Sequence, residues 1–284
     1  MDLEQKLLRI SGGLDGSTAI YFQDLADAQI VEVNSQKIYS AASTIKIPLV
    51  MLMMELVESG KYHLEDVVGI LPDNIVKGTG VIQLLNSEYK PTIRELVELA
   101  VAFSDNIATN ILIDLVGGPD QVTEYCKNSG YKNTRLQRKM MDMEAKKAGK
   151  DNFTTAHDMG EILAKIAELV LIKKDKQSPY NFIFKAMKMQ QCRNKLPVMV
   201  PAVDFYDVEN TDCPPPGHVI VANKTGDLWS TQNDIGIFVL PSGRPFIVAV
   251  FTDNLQVPQD GMQMISKIGK VVYDYMLYKT RPIL

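Results

Sequence analysis

Strand-forming runs lie only at the two ends of this 284-residue chain, and a long stretch of helical pattern separates them. Over residues 18–25 and 28–34, β-branched and aromatic residues gather in two short runs joined by a tight Ala26-Asp27 link, the texture of a hairpin. The last third repeats that texture at residues 219–223, 234–240 and 246–253, the last two joined across Pro241-Ser242-Gly243-Arg244-Pro245, a turn composition. Ile265, Ile268, Val272 and Met276 then recur at helical intervals and predict a final amphipathic helix. From about Ser43 to Ile172 few strand candidates occur. Thr92 with Glu95 is a capping-box signature opening a helix over residues 93–103, and Gly117-Gly118 closes the next helix before Pro119 opens another. The pattern predicts a discontinuous α/β (α+β) architecture. Residues 1–42 and 205–284 form a sheet domain, residues 43–204 an inserted helical domain, and the cleft between them is a favoured place for a ligand.

Composition narrows the function. A formal net charge of −4, with Lys scattered among Asp and Glu, lacks the basic face that a nucleic acid requires, so a small molecule or peptide is the expected partner. The longest apolar run, residues 47–57, is broken by Glu55 and is too short to span a bilayer. Residues 1–10 carry Asp2, Glu4, Lys6 and Arg9 among leucines at helical spacing, which reads as a surface helix rather than an export leader. The chain as written is therefore expected in the cytoplasm, or in the periplasm or medium if a leader has been removed. Cys126, Cys192 and Cys213 are odd in number and lack CxxC spacing, and His63, His157 and His218 share no ligand spacing. Neither a disulfide framework, a metal nor a cofactor is called for, and a monomer is expected.

Three short motifs follow in order: Ser43-Thr44-Ile45-Lys46, Ser104-Asp105-Asn106 and Lys224-Thr225-Gly226. Ser43 opens an apolar run and so falls on the first turn of a buried helix, where its backbone N–H has no partner within the helix. Lys46, one turn on, sets an amine beside the hydroxyl, and burial with a second nearby cation lowers a lysine's pKa until it can act as a base. Ser104 is placed to relay a proton to a leaving nitrogen and Asn106 to hold a substrate amide, while Asp105 bonds local backbone. Lys224 at a strand end favours a substrate carboxylate and depresses Lys46; Thr225 donates a hydrogen bond and Gly226 lets a ligand approach the backbone. The Asp227 N–H would complete an oxyanion hole with that of Ser43. Each motif alone is a common helix cap or strand end. All three in order are not, and together they match the signature trio of class A β-lactamases and penicillin-binding proteins.

With these residues the chain resembles the class A β-lactamase family, a group of penicillin-binding-protein-like serine hydrolases. Ala41-Ala42-Ser43-Thr44-Ile45-Lys46 looks like its nucleophile segment, Gly78-Thr79-Gly80-Val81 and Thr92-Ile93-Arg94-Glu95-Leu96 like its next landmarks, and residues 106–117 like its central helix. The resemblance implies a five-stranded antiparallel sheet built from both chain ends, flanking helices and an all-helical insertion. It also implies an acyl-enzyme on Ser43, with β-lactams as substrate and antibiotic resistance as the biological setting. Two departures matter. The loop glutamate that activates the deacylating water is replaced by Met140, with Glu144 at the neighbouring asparagine position and Asn152 at the aspartate that pairs with the loop arginine. Acylation without efficient deacylation is expected, unless Asp142 or Glu144 substitutes as base. Asp227 stands where the family has a small residue and would partly neutralise Lys224; Trp229 beyond it is expected to pack in the core rather than line the cleft. The alternatives are a D-alanyl-peptidase or esterase-like acyl hydrolase, and a catalytically quiet binding protein of the same fold.

Overall fold

Because successive side chains of a strand point to opposite faces, strands that are apolar at nearly every position must be covered on both sides. The computed structural model, which describes residues 2–86, 88–203 and 214–280, shows how this chain covers them. The strands are β1 (Ser17–Asp24), β2 (Ile30–Val33), β3 (Tyr39–Ser40), β4 (Phe153–Thr154), β5 (Ile220–Leu228), β6 (Thr231–Val239) and β7 (Pro245–Asp253). Five of them make one antiparallel sheet in the order β2-β1-β7-β6-β5, and β3 pairs separately with β4. The chain ends meet where β1 pairs with β7, from Ser17 opposite Asp253 to Asp24 opposite Phe246. The expected hairpin and all three late strands are present, but β5 runs on through Leu228 and turns at Trp229-Ser230 into β6. Lys224-Thr225-Gly226 therefore lies inside a strand, not at its end.

The helices are α1 (Leu3–Ser11), α2 (Lys46–Glu58), α3 (Ile93–Ala102), α4 (Asn106–Leu115), α5 (Pro119–Asn128), α6 (Met143–Lys147), α7 (Ala156–Ala167), α8 (Tyr180–Lys188) and α9 (Pro258–Lys279). On one face of the sheet, Ile20, Phe22, Val248 and Val250 pack with Leu3 and Leu7 of α1 and with Ile265, Ile268, Val272 and Met276 of α9. Tyr21, Ile237, Ala249 and Phe251 face the other helices, among which α2 is buried all round from Lys46 to Met51. Each fully buried Leu, Ile or Phe contributes about 1.5–3 kcal/mol. The capping box at Thr92 is formed in full. Within residues 43–204, α7 packs against β1 and β7, so part of the helical stretch belongs to the sheet's own layer. The junction expected at 204/205 lies outside the described residues.

Among the described residues, no helix is long and apolar enough to cross a membrane, and no three His, Cys, Asp or Glu side chains converge as a metal site. Cys126 is a buried free thiol whose pKa burial pushes up to about 12, Cys192 is a half-buried free thiol, and Cys213 lies outside the described residues.

Candidate active site

Residues 42–45 form a 3₁₀ turn that runs directly into α2, so Ser43 precedes the α-helix instead of sitting in its first turn. The consequence favours chemistry, because residues three apart in 3₁₀ geometry share one face, which sets Ser43 and Lys46 on the same side of the turn. Ala42 just before it has φ +46°, a left-handed conformation that is costly for a residue with a side chain. The turn is held from outside. Asn233 Nδ2 donates to Ser40 O at 2.9 Å, and Ala41 N donates to Asn152 O at 2.8 Å.

Alternation along β5 sends Ile220, Ala222 and Lys224 to the same face, toward the helices. Lys224 Nζ donates to Ser104 Oγ at 3.0 Å and to Thr225 O at 2.9 Å. Lys46 Nζ donates to Ser104 O at 2.6 Å, Ser104 Oγ at 3.2 Å and Asn106 Oδ1 at 3.0 Å. Two amines thus flank one hydroxyl, and Ser104 itself adopts φ +54° between α3 and α4. Both lysines are fully buried. Burial, and then the Lys224 cation, holds Lys46 well below the usual lysine range, while burial lowers Lys224 to about 8. Both effects disfavour the charged form of Lys46, the direction a lysine base requires.

Asp105 fastens this junction. Its Oδ1 accepts from Ile107 N and Ala108 N, its Oδ2 from Val81 N and Ile82 N, all within 2.7–2.9 Å. A Cβ at Gly80 would lie 2.4 Å from the Asp105 carboxyl, so only glycine admits this contact. Gly226 has the same explanation and not the expected one. A Cβ there would lie 2.9 Å from Ala41 O and 3.2 Å from Ser43 N, so the glycine admits the nucleophile's own backbone rather than a ligand. That approach brings edge strand β5 beside the Ser43 amide, the juxtaposition an oxyanion hole between Ser43 and Asp227 needs. Thr225 is buried in β5.

A cleft of about 130 Å³ opens at Ser43, with Asn106, Met140, Asp151, Asp227 and Leu228 in its wall. Met140 is buried there, and Asn110 grips its backbone in both directions: Met140 N donates to Asn110 Oδ1 at 2.7 Å, and Asn110 Nδ2 to Met140 O at 3.2 Å. The backbone at the position expected for the loop glutamate is thus fixed in the cleft wall. Neither carboxylate offered as a substitute base lines it. Asp142 is exposed and caps α6 by accepting from Ala145 N at 2.9 Å, and Glu144 is exposed on the same short helix. The ion pair of this loop is Arg138 with Asp151 at 2.7 Å, one residue before Asn152. Asn152 instead ties the loop through backbone, Oδ1 accepting from Gln137 N and Arg138 N and Nδ2 donating to Arg138 O. Sequence reading misses Asn110, Asp151 and Lys195, which lack motif context. Trp229 does not pack in the core: at the β5–β6 turn it is 84% exposed.

A model of the β-lactamase enzyme family matches residues 2–276. The extended-spectrum β-lactamase PER-1 of Pseudomonas aeruginosa is 26% identical over 89% of this chain and 80% of that relative. Among solved structures, a β-lactamase from Sphaerobacter thermophilus superposes with a TM-score of 0.80 at 26% identity, covering 96% of each chain. PBP-A superposes with a TM-score of 0.83 at 22% identity, covering 97% of this chain and 96% of that one, a likeness of fold; a leucine-to-glutamate mutant of PBP-A is known as an acyl-enzyme with penicillin G. Motif order, sheet topology and the family match agree: the chain belongs to the β-lactamase enzyme family, within its class A and penicillin-binding-protein-like branch of serine hydrolases.

Proposed function

We propose that this protein is an acyl-transfer hydrolase that forms an ester on Ser43 from β-lactams or related amides and releases it slowly. The observation that carries this reading is the pair of buried amines on Ser104 Oγ, with Lys46 held well below the usual lysine range three residues from Ser43. Ser43 Oγ attacks the substrate carbonyl carbon and its proton passes to Lys46 Nζ. The carbonyl oxygen, now negative, lies at the Ser43 and Asp227 amides. The C–N bond then breaks, and the nitrogen takes a proton through Ser104, which restores Lys46. Hydrolysis of the ester needs a water and a base near it, and Met140 supplies none.

Intact-protein mass after mixing with penicillin G tests this directly. A lasting adduct of one penicillin on the wild type, absent from Ser43→Ala, is expected. No adduct and no turnover in the wild type would leave the quiet binding protein as the better account.

The two lysines also predict a pH profile. Raising pH through about 8 neutralises Lys224 and removes the cation that faces Ser104 Oγ and helps hold Lys46 low, so the second-order acylation constant for penicillin is expected to fall above pH 8. On the acid side, protonation of Lys46 removes the base. Lys224→Arg, charged throughout, is expected to lose the alkaline limb and keep the acid one; an unchanged limb would assign it to another group.

A further inference from the structure

The charge around the cleft runs against a carboxylate-bearing substrate. Among the described residues in its wall, the charged side chains are Arg138, Asp151 and Asp227. Arg138 and Asp151 pair with one another, Nη2 to Oδ1 at 2.7 Å with Nε to Oδ1 at 3.0 Å. Asp227 remains, with its side chain 48% exposed. Behind it lies Lys195, a fully buried lysine whose Nζ donates to Asp227 Oδ1 at 2.7 Å, Asn233 O at 3.0 Å and Gly226 O at 3.4 Å. The protein thus holds a cation beside Lys224-Thr225-Gly226 and covers it with its own carboxylate. Lys224 is itself engaged by Ser104 Oγ and Thr225 O.

From this geometry we infer that Asp227 is a specificity-determining residue, occupying Lys195 in the way a substrate carboxylate would and making the cleft select acyl donors with no carboxylate beside the scissile bond. This role rests on the acyl-enzyme reading above and names the substrate class within it. The physical reason is double. A second carboxylate brought to this strand meets a like charge, and the cation that would offset it is already paired and sealed beneath Asp227. An uncharged ester or amide meets neither obstacle. Asp227 shares the wall of this cleft with Ser43, so a carboxylate flanking a scissile bond at Ser43 is brought near it.

The test compares acylation of Ser43 by penicillin G and by its methyl ester, which differ only in that carboxylate, on the intact protein by mass. The wild type is expected to react faster with the ester. Asp227→Asn, which keeps the side chain's size and an oxygen for Lys195, is expected to swing the ester-to-acid rate ratio toward the acid by about tenfold or more. Asp227→Ser carries the same expectation should the first variant fold poorly, and both leave the backbone amide at 227 in place. A wild type that prefers the acid, or a ratio unmoved in a folded variant, overturns the inference while leaving acylation at Ser43 intact. Acylation by neither compound in wild type or variants overturns the acyl-enzyme reading, and the inference falls with it.

Discussion

Lys46→Met is expected to slow acylation of Ser43 by on the order of 10²–10⁴-fold, the usual loss when a positioned general base is removed. Methionine follows nearly the same path as lysine without an amine, so packing in α2 changes little. The replacement leaves Ser104 O and Asn106 Oδ1 without the donor they have in the wild type, at a cost of about 1–3 kcal/mol for each buried acceptor. Relief from burying an amine acts in the opposite direction, because Lys46 is desolvated with a second lysine close by. The fold should therefore survive while the chemistry fails. The rate at which penicillin mass appears on the protein reads the loss. A pH series adds the decisive part: the acid limb belonging to Lys46 should vanish, whereas the limb near pH 8 belonging to Lys224 should persist. A variant acylated within threefold of wild type, with both limbs present, would remove Lys46 from the base role and turn attention to Lys224 through Ser104.

The fold is legible in the sequence because its two periodicities are strong and separated. Strands with apolar residues at both parities gather at the chain ends, and the middle carries helix caps such as Thr92-Glu95 and Gly117-Gly118-Pro119, each of which appears in the structure at the expected position. The β5–β6 hairpin is harder to read. Its turn, Trp229-Ser230, has no Gly, Asn or Pro to announce it, and the polar run Lys224-Thr225-Gly226-Asp227 interrupts the apolar signal where the strand borders the cleft. The site residues carried by motifs can be named in advance, since a hydroxyl and an amine at a three-residue spacing have a local meaning. Asn110, Asp151 and Lys195 cannot. Asn110 matters because it holds Met140 across 30 positions, and Lys195 because it reaches Asp227 across 32, contacts that only the tertiary fold creates. The expected role of Gly226 fails for a related reason: the glycine is explained by the backbone of Ala41 and Ser43, which arrives from the other end of the chain. The chemistry of Trp229 alone points to the core, yet its place at a hairpin turn puts it in solvent.

Met140→Glu is expected to shorten the life of the acyl-enzyme by on the order of 10²–10⁴-fold, converting a slow-releasing protein into one that turns over β-lactam. Position is the first reason. Asn110 fixes the backbone at 140 through two hydrogen bonds, and residue 140 lies in the wall of the cleft that opens at Ser43. Glutamate has nearly the length and volume of methionine, so it can follow the same course and bring a carboxylate to a site that now has a thioether. Burial will raise its pKa, and the ammonium of Lys46, when protonated, will lower it; a base that deprotonates water needs only to be ionised at neutral pH. The loop should hold its shape, because the Arg138–Asp151 pair and the Asn152 contacts do not involve the substituted side chain. The measurement is decay of the penicillin adduct after excess reagent is removed. Faster decay in the variant, with acylation little changed, places the missing base at 140 and explains slow release by one substitution. Unaltered decay would mean that water does not reach the ester beside this residue. Should the wild-type adduct itself decay within seconds, the carboxylates already in the cleft wall are Asp151 and Asp227; Asp227 is paired with Lys195 on β5, whereas Asp151 belongs to the same loop as Met140, so Asp151→Asn, which keeps an acceptor for Arg138, would then be the variant in which the adduct persists.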